Sequence, residues 1–502
     1  PIFATDPMAN DSFNIKTIPS IEGVVDPVKG SNYDLEGAKS GTMPKSQFMW
    51  SPRIGFNWDI NNDRQWQLRG GAGLFMSRLP LVWPGGAYTN NGITIGGVYH
   101  RSSWGDPIYF RPDINNQYTY GDFNEGSEIP SGQVDLFAED YKFPQILRGS
   151  LAIDKQLPWG MVGTLEATFT KTINNIIYYN YNALPADEKM TGGPDDRWII
   201  PGGTVDDTYT RVMLGSNTSK GYGYSFTAQL QKSFSNNLQG SLAYTYGRTK
   251  SMNDGLSSQN SSQWRYVAQV NGRNNLEESY SIFDLGHKVL AFIGYKKEYA
   301  RNFATGVSLI YTGVSGDRYS YTYDNSREIN GEASDDYALI WIPKDRSEIN
   351  LVDIMDEGEV VLSADAQWAN LEQFIENDPY LKENKGGYAE RYAARLPFES
   401  FLDMKVAQDF YISAGNNRHT LQISLDIFNL ANLLNKEWGT HRYVSYEHYE
   451  LIRIDGMEED GTTPRFTYKG GTEYDQVSNI TDVSSRWRMQ IGVRYIFGAP
   501  KQ

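Results

Sequence analysis

Cysteine is missing from all 502 residues. That excludes disulfide frameworks, thiolate metal sites and cysteine nucleophiles together. Histidine is scarce as well, at five residues. No run of 18 apolar residues occurs, which excludes helical membrane spans. Basic side chains are outnumbered, 46 Lys and Arg against 61 Asp and Glu, and a net charge of −15 speaks against nucleic acid as a partner. The G-x-S-x-G, H-E-x-x-H and Walker A signatures are missing. No carboxylate pair stands out either, so an enzymatic role is not expected. The chain opens PIFATDPMAN, with neither an initiator Met nor a signal peptide. Processing, or origin in a longer chain, is the expectation.

Aromatics are plentiful at 14%, with 34 Tyr, and Gly reaches 48. That mixture suits strands and turns. Mean hydropathy is −0.53, a soluble-looking value. A transmembrane β-barrel is compatible with it, because barrel strands alternate polar and apolar residues.

Alternation is what the chain shows. In SSRWRMQIGVRYIFG (484–498), Trp487, Met489, Ile491, Val493, Tyr495 and Phe497 form an apolar set. Arg486, Arg488, Gln490 and Arg494 interleave with them. Period two means a strand with one apolar face. GYGYSFTAQLQKS (221–233) and RHTLQISLDIFNL (418–430) repeat the pattern, as do stretches near 48–59, 64–77, 143–157, 161–181, 238–246, 285–298, 302–314 and 397–412. The count is about eleven strands of roughly ten residues or more, long enough to cross a bilayer at a tilt.

Connections sort by length. Tight turns fall at Asn61-Asn62-Asp63, Pro158-Trp159-Gly160, Ser235-Asn236-Asn237, Tyr299 to Asn302 and Ala414 to Asn417. Between them lie long connections at 78–142, 182–219, 251–284, 315–396 and 433–483. Strict alternation puts every short turn on one rim and every long loop on the other, as in outer-membrane barrels. The expected fold class is therefore all-β, a transmembrane antiparallel β-barrel with long extracellular loops. Trp58, Trp66, Trp159, Tyr178, Tyr179, Phe234, Tyr299, Phe410, Tyr411 and Trp438 fall at strand ends, where interfacial girdles belong. The apolar face of 487–497 is expected to meet outer-membrane lipid, with Arg488 and Arg494 pointing into a wet lumen.

MWSPRIGFNWDINNDRQWQLRGGAGLFMSRLPLVW (49–83), FPQILRGSLAIDKQLPWGMVGTLEATFTKTINNI (143–176), NTSKGYGYSFTAQLQKSF (217–234) and LAYTYGRTKSMNDGLSSQ (242–259) resemble TonB-dependent outer-membrane receptors of Bacteroidota. The resemblance is to the Oar-like branch, with its carboxypeptidase-regulatory-like domain, and it covers essentially the whole chain. It implies a 22-stranded barrel around a globular plug, of which this chain is the C-terminal half. On that reading 1–47 is an extracellular loop entering the barrel, 48–498 is the half-barrel with its insertions, and 499–502 is a tail. The plug and the TonB-contacting box would precede Pro1. An open half-barrel leaves sheet edges that lipid does not tolerate, so the missing half is expected in the living molecule.

The function implied is active import of a bulky nutrient (peptide, glycan or metal chelate) across the outer membrane of a Gram-negative bacterium, energised by TonB–ExbB–ExbD. The alternative is a surface adhesin or secretion-associated barrel. Trp487, Met489, Ile491, Val493, Tyr495 and Phe497 resemble the signal read by the outer-membrane assembly machinery. A surface lipoprotein is a further candidate partner.

Ligand contacts are expected first at the loop aromatics Trp83, Tyr99, Trp104, Trp264, Tyr319, Tyr321 and Tyr323, taken as exposed. HRYVSYEHY (441–449) reads as an aromatic binding loop, with a metal site at His441 and His448 as the weaker option. No cofactor is expected. The acidic loop clusters, such as Asp195-Asp196 and Glu458-Glu459-Asp460, leave room for bound Ca²⁺. RGGAGLF (69–75) lies within a strand, where its glycines would let the plug or lumen contents approach the wall closely. Within 315–396 the alternation breaks, and 366–382 has helical spacing at Trp368, Leu371, Phe374 and Ile375.

Overall fold

The computed structural model describes residues 18–92, 109–119, 122, 131–233, 237–333, 336–415, 417–472 and 477–500. Eleven long strands form one sheet in chain order. They are β1 (Arg53–Asp59), β2 (Trp66–Met76), β3 (Gln145–Leu157), β4 (Met161–Asn180), β5 (Gly221–Ser233), β6 (Leu238–Ser251), β7 (Gly286–Tyr299), β8 (Phe303–Val314), β9 (Glu399–Ala414), β10 (Asn417–Phe428) and β11 (Arg488–Pro500). Every neighbouring pair is antiparallel. These are the strands that the alternation predicts. β1 starts later than expected because Pro52, which has no N–H for a ladder, precedes it.

The registers align the alternation of all eleven strands. Phe56 pairs with Gly70, Leu68 with Ile153, Ile153 with Leu165, and Leu165 with Ala228. Beyond them Tyr244 pairs with Val289, Ile293 with Leu309, Leu425 with Ile491 and Ile423 with Val493. One continuous apolar face results, and many of its large side chains lie open, Phe226 at 56% and Ile491 at 72%. An apolar surface this extensive is unsustainable in water and suits a bilayer. Gly70 belongs to this face: a Cβ there would stand 2.9 Å from the Phe56 ring. That glycine makes room for a neighbouring strand's aromatic, while Gly71 and Gly73 alternate with it onto the polar side of Arg69.

The opposite face is polar. Arg69 reaches Asp154 at 2.9 Å and Glu166 at 3.1 Å, and Lys405 reaches Asp426 at 2.6 Å. Arg488 and Arg494 lie opposite Phe428 and Gln422, on the side away from Met489, Ile491 and Val493.

Short and long connections alternate as expected. The short ones rely on left-handed backbone: Trp159 has φ 64°, Ala300 48° and Arg301 59°. On the long side the chain folds into a dome with cores of its own. β4 is 20 residues long, or about 66 Å at ~3.3 Å per residue, well beyond a bilayer. Its far end pairs with the strand Tyr209–Thr218, which runs parallel to Ser131–Phe137. The expected loop 182–219 thus ends in a strand that returns to the sheet. Ile18, Ile21 and Leu35 close over Val134, Leu136, Val212 and Leu214.

A second dome core joins the strands Arg318–Asp324, His448–Met457 and Pro464–Thr467. The dome also holds α1 (Val82–Thr89), α2 (Asn260–Arg265), α3 (Ala364–Asn377) and α4 (Pro379–Glu383). The expected helix at 366–382 is α3 plus α4. Ser363 caps α3 through Ala366 N–H, Pro379 starts a new helix, and Asp378 caps it through Leu381 N–H at 2.7 Å. Leu371, Phe374 and Ile375 are buried. Buried ion pairs lock the dome: Arg197–Asp195 at 2.8 Å, Arg273–Glu332 at 3.3 Å, and Asp284 between Arg318 and Arg395 at 2.6 and 2.5 Å.

Candidate ligand-binding cavity

Three long connections meet around a cavity of about 600 Å³. Residues 252–267 line one side, with Asp336 and Tyr337, Arg391 and Tyr392, and Tyr446 to Glu450 around the rest.

The first side is rigid because its loop is tied at several points. Asp254 accepts from Ser251 Oγ at 2.6 Å, Ser281 Oγ at 2.8 Å and Ile282 N–H at 2.8 Å. α2 is fixed from behind: Trp264 Nε1–H donates to Asn274 at 2.9 Å, and Asn260 donates to the Trp83 carbonyl at 3.1 Å. Trp83 Nε1–H in turn donates to the Ser257 carbonyl at 2.9 Å.

The walls are aromatic. The His448 ring lies 4.4 Å from that of Tyr337, whose centroid is 5.8 Å from that of Tyr266. His448 is held at both nitrogens, Nδ1 donating to the Tyr446 carbonyl at 3.1 Å and Nε2 standing 3.3 Å from Glu450. Tyr446 is exposed at the rim. Tyr392, Tyr446 and Glu447 all have left-handed φ, 53°, 55° and 57°. Non-glycine residues adopt that conformation only at a cost of order 1–3 kcal/mol each, and such strain clusters at functional sites.

Four carboxylates face the cavity: Asp254, Asp336, Glu447 and Glu450. Burial pushes the Glu447 carboxyl up, with His448 opposing. The single arginine in the lining is Arg391, 4% exposed. Its Nη2 donates to the carbonyls of Ser251 at 2.8 Å and Glu277 at 3.2 Å. The adjacent Glu390 is engaged by Lys250 at 2.7 Å and Ser279 at 3.0 Å. Burial pulls the Arg391 guanidinium below the ordinary arginine value, with Tyr392, Asp254 and Glu390 opposing. The cavity therefore presents flat rings, several acceptors and one buried donor cluster, a composition suited to binding.

Among the described residues, the loop aromatics expected at the ligand do not line this cavity. Trp83, Trp264, Tyr319, Tyr321 and Tyr323 are buried, not exposed. Their polar atoms are committed within the dome: Tyr319 and Tyr321 share a 3.0 Å hydrogen bond, and Tyr321 donates to Asp378 at 2.7 Å. Tyr323 accepts from Trp341 N–H at 3.1 Å. Long connections that fold on themselves bury their largest rings, which is why the expectation of exposure fails. Tyr99 and Trp104 lie outside the described residues. Trp83 and Trp264 support the cavity from behind.

Of HRYVSYEHY, Tyr446 and His448 both line the cavity. His441 is elsewhere, 2.8 Å from Glu399. Among the described residues no cluster of three His or acidic side chains could hold a metal ion. Nothing in AERYAARLP distinguishes Arg391 as a sequence. Of the expected girdle, Trp58, Trp159, Tyr299 and Trp438 are exposed, Tyr178 and Tyr411 are buried, and Phe234 lies outside the described residues. The terminal set Trp487, Met489, Ile491, Val493, Tyr495 and Phe497 is exposed, with Met489 to Val493 on the apolar face of the sheet.

Residues 7–437 match the family described as outer membrane beta barrel domain. Among solved structures, a mutant ferric enterobactin receptor, PfeA, from Pseudomonas aeruginosa is similar at 11% identity and TM-score 0.37, over 89% of this chain and 40% of that one. The outer membrane transporter YddB from Escherichia coli is similar at 11% identity and TM-score 0.39, over the same shares. The chain spans about two fifths of the length of these structures. No curated protein matches it.

Proposed function

The chain belongs to the outer membrane beta barrel domain family, and we propose on that premise that it forms wall and extracellular dome of a TonB-dependent transporter of the Oar-like branch in Bacteroidota. Its sheet is the C-terminal half of the barrel. The dome captures a bulky nutrient from outside the cell, and the polar inner face, with Arg69, Lys405, Arg488 and Arg494, lines its route. Energy comes from TonB–ExbB–ExbD through a plug carried elsewhere in the protein, because the outer membrane holds no ATP.

The observation that carries this reading is the dome cavity of about 600 Å³. It stands over the long-connection rim of an amphipathic wall and is large enough for part of a peptide, a glycan or a metal chelate. A passive pore has no use for a strained, aromatic-walled receptor site at its mouth. The apolar terminal strand serves the assembly machinery, and a surface lipoprotein is a candidate lid.

Uptake is the test. Cells lacking the protein, and cells lacking TonB, are offered labelled peptides, oligosaccharides and a ferric siderophore. The reading expects one class to lose uptake in both strains. Unchanged uptake of all three, with surface attachment lost, would replace the transporter by an adhesin.

A further inference from the structure

We propose that the dome cavity binds a short zwitterionic peptide, with its C-terminal carboxylate on Arg391 and its N-terminal ammonium group on the acidic rim at Glu447 and Glu450. The inference rests on the transporter reading and names the ligand chemistry of that site.

Arg391 carries it. A buried guanidinium ordinarily faces a carboxylate, because an unpaired buried charge is expensive. Here the protein supplies none within ion-pair distance among the described residues. The two acids whose charge acts on Arg391 are committed: Asp254 to Ser251, Ser281 and Ile282, and Glu390 to Lys250 and Ser279. Only Nη2 of Arg391 is used, on two backbone carbonyls. Among the described residues Nη1 and Nε, with three N–H groups, have no protein acceptor, in a residue that lines the cavity. A planar donor fork of that kind fits a carboxylate.

The remaining charges narrow the ligand. A plain polyanion would meet the field of Asp254, Asp336, Glu447 and Glu450 on its way to Arg391. A plain cation would leave Arg391 unmatched. A ligand bearing both charges satisfies both ends. The Tyr266 ring, exposed at the cavity, offers an apolar surface for the chain between the two charges.

The experiment uses the full-length protein purified from outer membranes, immobilised in detergent. The probe is a tryptic casein peptide mixture, offered with free ends, after amidation of its carboxyl groups, and after acetylation of its amino groups. Retained peptides are counted by mass spectrometry. Free-ended peptides are expected to be retained about tenfold or more above the amidated set, the loss typical of a charged hydrogen-bonded contact. R391M should abolish that preference while the dome keeps its protease resistance, and R391K should restore part of it. Should R391M misfold, E447Q at the half-buried rim is the second probe. It is expected to weaken free-amine peptides and leave the acetylated set unchanged. Equal retention of free and amidated peptides, or a preference that survives R391M, overturns the proposal. Retention by purified protein needs no energy source, so this result is independent of whether uptake requires TonB.

Discussion

Thr227 and Thr245 share a hydrogen bond between their hydroxyls at 2.9 Å across β5 and β6, on the polar face of the sheet. The adjacent pair, Phe226 and Tyr246, turns to the opposite, apolar face. One residue of register separates two solvents, and a slip would exchange them.

Neighbouring arginine substitutions should therefore differ sharply. F226R puts a guanidinium into lipid, expected to cost about 2–4 kcal/mol near the bilayer midplane, whereas T227R enters the aqueous side at little cost. Urea titration of the folded barrel in lipid vesicles measures both. Equal losses would contradict the assignment of faces.

Asp284 ties the dome to the wall. Its buried carboxylate accepts from Arg318 and Arg395, and from Thr249 N–H. D284A leaves two arginines without their shared partner, and about 3–5 kcal/mol of dome stability is expected to be lost. Hydrogen exchange across 318–324 and 391–396 reads that loss. Unaltered protection would mean that the dome stands without the triad.

A pH dependence follows from Asp378. Burial pushes its carboxyl above the ordinary value, with the hydrogen bonds from Leu381 and Tyr321 opposing. The folded state thus holds the proton more tightly than the unfolded chain. Its contribution is complete below the ordinary aspartate value of about 3.9 and is lost as pH rises through the raised one. As pH rises above about 4, dome stability should fall more steeply in the native protein than in D378N. Parallel curves would remove Asp378 from the account.

Two aromatics separate scaffold from receptor. Trp264 is fully buried, at 0% exposure, and W264A is expected to cost about 3–5 kcal/mol. Y446A, at the open rim, should leave thermal unfolding nearly unchanged and reduce peptide retention. Reversed effects would exchange the roles given to these residues.

The wall was legible because each strand faces two different environments, so side chains alternate with the period of the backbone. The dome was not, because its elements are covered on both faces. Tyr319, Tyr321 and Tyr323 alternate with Arg318, Ser320 and Thr322, yet all six are buried. There period two no longer separates inside from outside. α3 could be read from Leu371, Phe374 and Ile375 because its outer side stays wet. The cavity was legible only at Tyr446 and His448. Arg391 meets the 252–267 segment through folding across more than a hundred residues, which local spacing does not record.

The most direct measurement is a single-cysteine spin-label scan along β5 in lipid vesicles, made simple by the lack of native cysteine in this chain. Labels at Phe226, Ala228 and Leu230 should be accessible to oxygen dissolved in the bilayer. Labels at Thr227 and Gln229 should be accessible to an aqueous nickel chelate. Nickel access at every position, without alternation, would contradict a lipid-facing wall and the transporter built on it.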